Sequence, residues 1–215
     1  MEKRANTGLG ILFRTPEYGK VKTRLASVIG HEKTLLIYKE MLNSSIRKLL
    51  QFSSIADLYG FYDGKEPVDY INKGEIKLLP QAGKGLGERI FNAANLLFKK
   101  GYKRVILIGS DSPDLPPVYI KEAIERLNIF RLVIGPSEDG GYYLIGMTEP
   151  LEFLFKDIPW GTGSVLKKTL DLAIKEGIKY SLLPEWYDVD DIEGLKRWKG
   201  VSGSNRGSTA SLSVL

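Results

Sequence analysis

Cysteine is absent from the 215 residues, and histidine occurs once, at His31. The first absence excludes disulfides, thiolate catalysis and cysteine-based zinc sites. The second argues against a histidine-rich metal centre; His31, just before an apolar periodic run, reads as a surface or helix-start residue. No run of about 18 apolar residues occurs, so no membrane-spanning helix and no membrane partner are expected. The N-terminus lacks the apolar segment of a signal peptide, which leads to the expectation of a soluble cytoplasmic protein. Lysine and arginine outnumber acidic residues, 31 to 26, for a net charge of +5. The basic residues are spread along the chain, and their one dense cluster runs from Arg14 to Arg24. That distribution suits small phosphorylated ligands better than nucleic acid.

What remains is a pattern of alternating strands and helices. Strands are expected at Leu9 to Phe13, Ile55 to Tyr62, Ile76 to Leu79, Arg104 to Gly109, Leu132 to Gly135, Tyr142 to Met147 and Ile178 to Leu183. Apolar spacings of three and four predict helices over His31 to Phe52, from Leu86 to a stop at Gly101, over Pro116 to Leu127, Ser164 to Glu176 and Asp191 to Trp198. Arg14 to Leu25 reads as a loop. The alternation predicts an α/β domain with a mostly parallel central sheet flanked by helices, and the short link between the strands at Leu132 and Tyr142 predicts one antiparallel element. Residues 1–199 suffice for one domain. Residues 200–215, mostly serine, glycine and small polar types, read as a flexible tail.

Asp111 carries the most information. It follows the apolar run Val105-Ile106-Leu107-Ile108 and opens Asp111-Ser112-Pro113-Asp114-Leu115-Pro116. A carboxylate just past the C-terminal end of a doubly buried strand lies where open α/β sheets bind ligands. A helix cap is the alternative for Asp111 and the preferred reading for Asp114. The stretch Asp188-Val189-Asp190-Asp191 follows the last strand and could return a second carboxylate to the same place. Mg²⁺ or Mn²⁺ carrying substrate phosphates needs no more than two protein acids.

Other segments add to this end of the sheet. Arg14, Lys22 and Arg24 follow strand one and could converge on phosphate oxygens, although the loop lacks the glycine of a P-loop. Gln81-Ala82-Gly83-Lys84-Gly85-Leu86-Gly87 joins a strand end to a helix start, either as an ordinary turn or as a close approach to a flat or anionic ligand. Gln81 offers a donor and an acceptor together, which suits a nucleobase edge. Asp139-Gly140-Gly141-Tyr142-Tyr143 reads equally as a polyol site and as a hairpin turn. Trp160, in Pro159-Trp160-Gly161-Thr162-Gly163, walls a pocket or simply packs.

Taken in order, Phe13-Arg14-Thr15-Pro16 with Gly19 and Lys22-Thr23-Arg24-Leu25, Lys84-Gly85-Leu86-Gly87-Glu88-Arg89 (with Lys84 where glycine is common), Gly109-Ser110-Asp111-Ser112-Pro113-Asp114-Leu115-Pro116, Asp139 to Tyr143 and Asp188-Val189-Asp190 resemble the bacterial rSAM/selenodomain-associated transferase 1 family. These are GT-A-type glycosyltransferases, some labelled arsenosugar-biosynthesis enzymes. The resemblance implies a nucleotide-diphospho-sugar transferase fold and transfer of a sugar from a nucleotide-sugar donor to a small-molecule acceptor. The Lys22 to Leu25 stretch is also similar to phospholactate guanylyltransferase, which implies the alternative: a nucleotidyltransferase moving a nucleotidyl group from a nucleoside triphosphate to an acceptor phosphate. By the same resemblance Arg14, Lys22 and Arg24 embrace phosphates, and Gln81 and Gly87 line the base. Asp111 with Asp190 holds Mg²⁺ or Mn²⁺, with Asp111 and Lys22 in catalytic roles. Asp139, Gly140, Gly141, Tyr142 and Trp160 face the transferred group or acceptor, with Asp139 as general base.

Overall fold

A computed structural model describes residues 5–67, 71 and 76–204. Seven strands form one sheet: β1 (Thr7–Arg14), β2 (Asp57–Asp63), β3 (Lys77–Pro80), β4 (Arg104–Gly109), β5 (Leu132–Pro136), β6 (Tyr142–Met147) and β7 (Tyr180–Leu182). Six helices surround it: α1 (Thr23–Ile29), α2 (His31–Leu50), α3 (Leu86–Lys99), α4 (Pro117–Arg126), α5 (Val165–Lys175) and α6 (Ile192–Ser204).

Strand alternation builds the two core layers. On one face of β4, Ile106 and Ile108 meet Leu42, Ile46 and Leu49 of α2 and Ile120 and Ala123 of α4. On the other, Val105 and Leu107 meet Ile90, Ala94 and Leu97 of α3 and Ala173 of α5. Burial on both faces is why β4 reads as an uninterrupted apolar run. A third cluster joins Leu25 of α1, Met41 of α2 and Leu195 and Trp198 of α6 through Tyr187 and Val189.

The strand order is β3-β2-β1-β4-β6-β5-β7. β1 pairs in parallel with β2 and with β4, so the chain leaves β1 toward one edge and returns on its other side at β4. The C-terminal ends of β1, β2 and β4 therefore open together, at the switch point where such sheets bind ligands. β6 runs antiparallel to both β4 and β5. It is the expected antiparallel element, but it lies between its hairpin partner and the centre of the sheet.

Three departures from the sequence reading concern short or polar segments. The helix Thr23–Ile29 begins inside the stretch read as a loop, Arg14 to Leu25; its seven residues bury only Leu25 and Ala26, too few to show a period. A 3-10 turn over Glu152–Phe155 buries Leu154 and Phe155. The last helix continues to Ser204, into the stretch read as a tail; residues 205–215 lie outside those described. Among the described residues no helix is long and apolar enough to cross a membrane.

Ile106 is fully buried, whereas Ile129 is 77% exposed. Ile106→Ala is expected to lower the unfolding free energy by about 2–5 kcal/mol through lost burial and a residual cavity. Ile129→Ala is expected to change it by less than about 0.5 kcal/mol. Urea denaturation of both variants checks this pair.

Candidate active site

The site begins where β1 ends. Tyr38 of α2 brackets Arg14: its hydroxyl accepts from the Arg14 N–H at 3.2 Å and donates to the Arg14 carbonyl at 2.8 Å. The chain then turns through residues 15–21, and Val21 and Leu25 are buried. Lys22 between them adopts a left-handed backbone, φ 46° and ψ 52°. A residue with a Cβ is held there at a cost of about 1–3 kcal/mol, which the surroundings must offset.

Those surroundings are two carboxylates. The Lys22 side chain is 5% exposed, and its Nζ lies 2.8 Å from Asp111 Oδ1 and 3.2 Å from Asp190 Oδ1. Burial alone would push the ammonium's pKa down; Asp111 and Asp190 outweigh it and hold the pKa above the ordinary lysine value. Arg24, with its side chain 79% exposed, reaches Asp190 Oδ2 at 3.3 Å. The backbone fixes the meeting: the Val189 N–H donates to the Asp111 carbonyl at 2.8 Å, joining the segment after β7 to the loop after β4. One residue back, Asp188 accepts from Ser112 Oγ at 2.7 Å.

A second polar group gathers at the neighbouring strand ends. Asp63, the last residue of β2, accepts through Oδ2 from Arg89 Nη1 at 2.7 Å and Arg14 Nη2 at 3.3 Å. Arg89 lies in the first turns of α3, where Glu88 ties the entry by accepting from the Lys84 N–H at 2.8 Å. Gln81 follows β3 and donates from Nε2 to the carbonyls of Phe13 and Phe61, each at 3.0 Å. One cleft of about 390 Å³ joins the two groups, with Leu86, Ile90, Leu107 and Tyr142 among its apolar walls. The Tyr142 hydroxyl is buried without a hydrogen-bond partner among the described residues, and burial pushes its pKa up.

Of the residues singled out in the sequence, Arg14, Lys22, Gln81, Asp111, Tyr142 and Asp190 line this cleft. Arg24 sits at its rim on Asp190. Gly87, Asp139, Gly140, Gly141 and Trp160 are not among its lining residues. Gly87 is closely packed on its Cβ side: a Cβ there would lie 2.4 Å from Trp160 Nε1 and 2.8 Å from the Phe155 carbonyl. Trp160 supports the wall from behind, edge-on to Tyr142 at 6.1 Å. Asp139 holds a turn; its Oδ1 accepts from the Ser137 hydroxyl and, at 2.9 Å, from the Gly141 N–H. Gly140, at φ 84°, presses against the Gly163 backbone, where a Cβ would come within 2.2 Å of the carbonyl oxygen. The hairpin-turn reading of this segment is the one its geometry matches.

Three participants escaped the sequence reading. Asp63 obeys the same strand-end rule as Asp111, but the strand it ends carries Gly60 and two tyrosines in place of an unbroken apolar run. Arg89 lay inside a quoted motif without a role. Tyr38 is indistinguishable from a core position of an amphipathic helix.

Asp111 and Asp190 fit a divalent cation by their chemistry: two carboxylates, each half-exposed, already share one cationic atom. No group of three or more potential ligands converges among the described residues, so a bound ion would complete its shell with substrate and water oxygens.

Burial, with Asp111 and Asp139 nearby, raises the Asp188 pKa from 3.8 to about 6 against the pull of its Ser112 bond. The unfolded chain loses this proton near 3.8 and the folded chain near 6. The folded state therefore binds more protons in that window, and stability falls as pH rises through it. Asp188→Asn keeps an acceptor for Ser112 and is expected to make that fall shallower. Urea unfolding at both ends of the window, with chelator present, measures the difference.

Residues 48–162 match the family described as "Uncharacterized protein conserved in bacteria (DUF2064)". A solved structure from Desulfovibrio desulfuricans G20, described as a candidate nucleotide-diphospho-sugar transferase, is 32% identical with a TM-score of 0.81; the match covers 95% of this chain and 90% of that one. A 2-phospho-L-lactate guanylyltransferase from Methanocaldococcus infernus is 26% identical over 125 residues, 58% of this chain and 54% of the relative, so the chain spans about half that protein's length. CMP:2-keto-3-deoxy-manno-octonic acid synthetase, solved with CTP, shares the fold at a TM-score of 0.61 and 11% identity over 93% of this chain and 99% of that one. The fold is thus that of the nucleotide-diphospho-sugar transferases, and the chain belongs to the DUF2064 family.

Proposed function

We propose that residues 1–199 form a divalent-metal-dependent transferase that takes a nucleotide donor and moves its nucleotidyl group to an acceptor phosphate. The observation that carries this reading is the buried Lys22 ammonium shared by Asp111 and Asp190. Buried lysine and paired acids, at the C-terminal ends of β1 and β4, supply what phosphoryl chemistry draws on: fixed positive charge and a seat for Mg²⁺ or Mn²⁺. When bound, the ion supplies Lewis-acid neutralisation of phosphate oxygens.

In the reaction, an oxygen of the acceptor phosphate forms a bond to the α-phosphorus of a nucleoside triphosphate. The bond from that phosphorus to the α–β bridging oxygen breaks, and pyrophosphate leaves with the bonding electrons. Lys22, Arg14 and Arg24 are preorganised positive charge where negative charge develops. Gln81 meets the base, and Tyr142 walls the cleft. A phosphate acceptor is already anionic near neutral pH, so the step needs no general base. The residue expected to be that base, Asp139, has its carboxylate committed to a turn.

Glycosyl transfer from a nucleotide-sugar donor is the second reading. The 32% identical relative favours it by its description. The resemblance to the rSAM/selenodomain-associated transferase 1 family belongs to this reading. Both readings take a small-molecule acceptor and a cytoplasmic setting, with neither nucleic acid nor membrane as partner.

Nucleoside triphosphates with Mn²⁺ are expected to raise the melting temperature, and chelation to abolish the rise. With candidate phosphorylated acceptors, steady pyrophosphate release is expected. Asp111→Asn is expected to reduce it on the order of 100-fold or more, and Lys22→Met comparably. Release of a nucleoside diphosphate from nucleotide sugars, without pyrophosphate, moves the assignment to glycosyl transfer. If no nucleotide stabilises the protein in the presence of metal, both readings fail.

A further inference from the structure

We infer that Asp63 and Gln81 together read the nucleobase of the donor and select guanine. This rests on the reading of the cleft as a nucleotide site and adds which base it takes.

The two residues stand side by side. Tyr62 pairs with Pro80 across β2 and β3, and the Gln81 N–H donates to the Tyr62 carbonyl at 2.8 Å. The next residue on β2 is Asp63, and both Asp63 and Gln81 line the cleft. Hydrogen bonding fixes what each can offer. Gln81 directs its Nε2 at two backbone carbonyls, at 3.0 Å each. The planar amide then turns its Oε1 away from them, where it can only accept. Asp63 holds Arg14 and Arg89 through one oxygen, Oδ2, and Oδ1 has no partner among the described residues. The strand ends thus present two adjacent acceptors, flanked by guanidinium donors, beside the apolar side chains of Leu86 and Ile90.

Among the common bases only guanine answers that pattern. Its edge carries N–H donors on two neighbouring atoms, N1 and the 2-amino group, next to a carbonyl acceptor, O6. Uracil has one N–H between two carbonyls. Cytosine and adenine each place an unprotonated ring nitrogen beside the amino group, which would face an acceptor lone pair. A buried acceptor left without its donor is the penalty that rejects the wrong base. Asp63 and Gln81 would take the N1 and 2-amino protons, and Arg89 would donate to O6.

Calorimetric titration of the full chain with Mn²⁺ tests this, using guanosine, inosine, xanthosine, adenosine, cytidine and uridine diphosphates. The guanosine ligand is expected to bind tightest. The inosine ligand, which lacks only the 2-amino group, is expected to bind at least about tenfold more weakly. Asp63→Asn exchanges an acceptor for a donor and is expected to shift preference from guanosine toward xanthosine diphosphate, whose base has a carbonyl in place of that amino group. Equal affinity for the guanosine and inosine ligands, or tighter binding of another base, overturns the assignment while leaving the transferase reading intact. A uniform loss for every ligand in Asp63→Asn, with no gain for xanthosine, reduces Asp63 to a brace for the two arginines and overturns its part. Binding of none of the diphosphates fails the transferase reading itself.

Discussion

One ammonium holds this site together. Lys22 is buried between Asp111 and Asp190, residues that reach the same point from the end of β4 and from the segment after β7. Without a cation there, two carboxylates would face each other across a partly desolvated gap, where like charges repel strongly. With it, the carboxylates offset the desolvation of the lysine and the strain of its left-handed backbone. The same contact pins the turn after β1, which links Arg14 to Arg24. Charge balance, backbone conformation and chain closure are therefore satisfied by one arrangement. Removing Lys22 sets two half-exposed carboxylates against each other, and removing both acids would leave its buried ammonium uncompensated, the condition under which such networks destabilise most.

The sheet explains why this arrangement is available. β1 lies between β2 and β4, both parallel to it, so three strands deliver their C-terminal ends to one opening. Each contributes a charged residue at or just after its end: Arg14, Asp63 and Asp111. The cleft has a lysine-and-acid pole on the β4 side and an arginine-and-amide pole on the β2 side. The two poles differ in balance: Lys22 and Arg24 face two carboxylates at the first, and Arg14 and Arg89 share one at the second.

Much of this was legible in the sequence where physics leaves a periodic or positional trace. β4 showed as four consecutive apolar residues because both its faces are covered, and Asp111 was conspicuous because an acid ended that run. The basic cluster after the first strand was visible by density alone. Other features left no such trace. The seven residues of α1 are too few for a period. Asp139-Gly140-Gly141 has the composition of a turn and of a sugar site alike, and only the hydrogen bonds from Ser137 and Gly141 distinguish them. Gly87 looked like a place of close approach, and the sequence could not say that Trp160 packs against it. Asp63 and Arg89 are ordinary surface charges until the β2–β3 register and the start of α3 bring them together.

Trp160 has a consequence of its own. It sits on Gly87 at the start of α3 and edge-on to Tyr142 of β6, while nearby Gly163 abuts Gly140 in the hairpin. Three otherwise separate parts of the molecule are thereby locked like stones around a keystone. Packing this close leaves the Tyr142 wall of the cleft little room to shift.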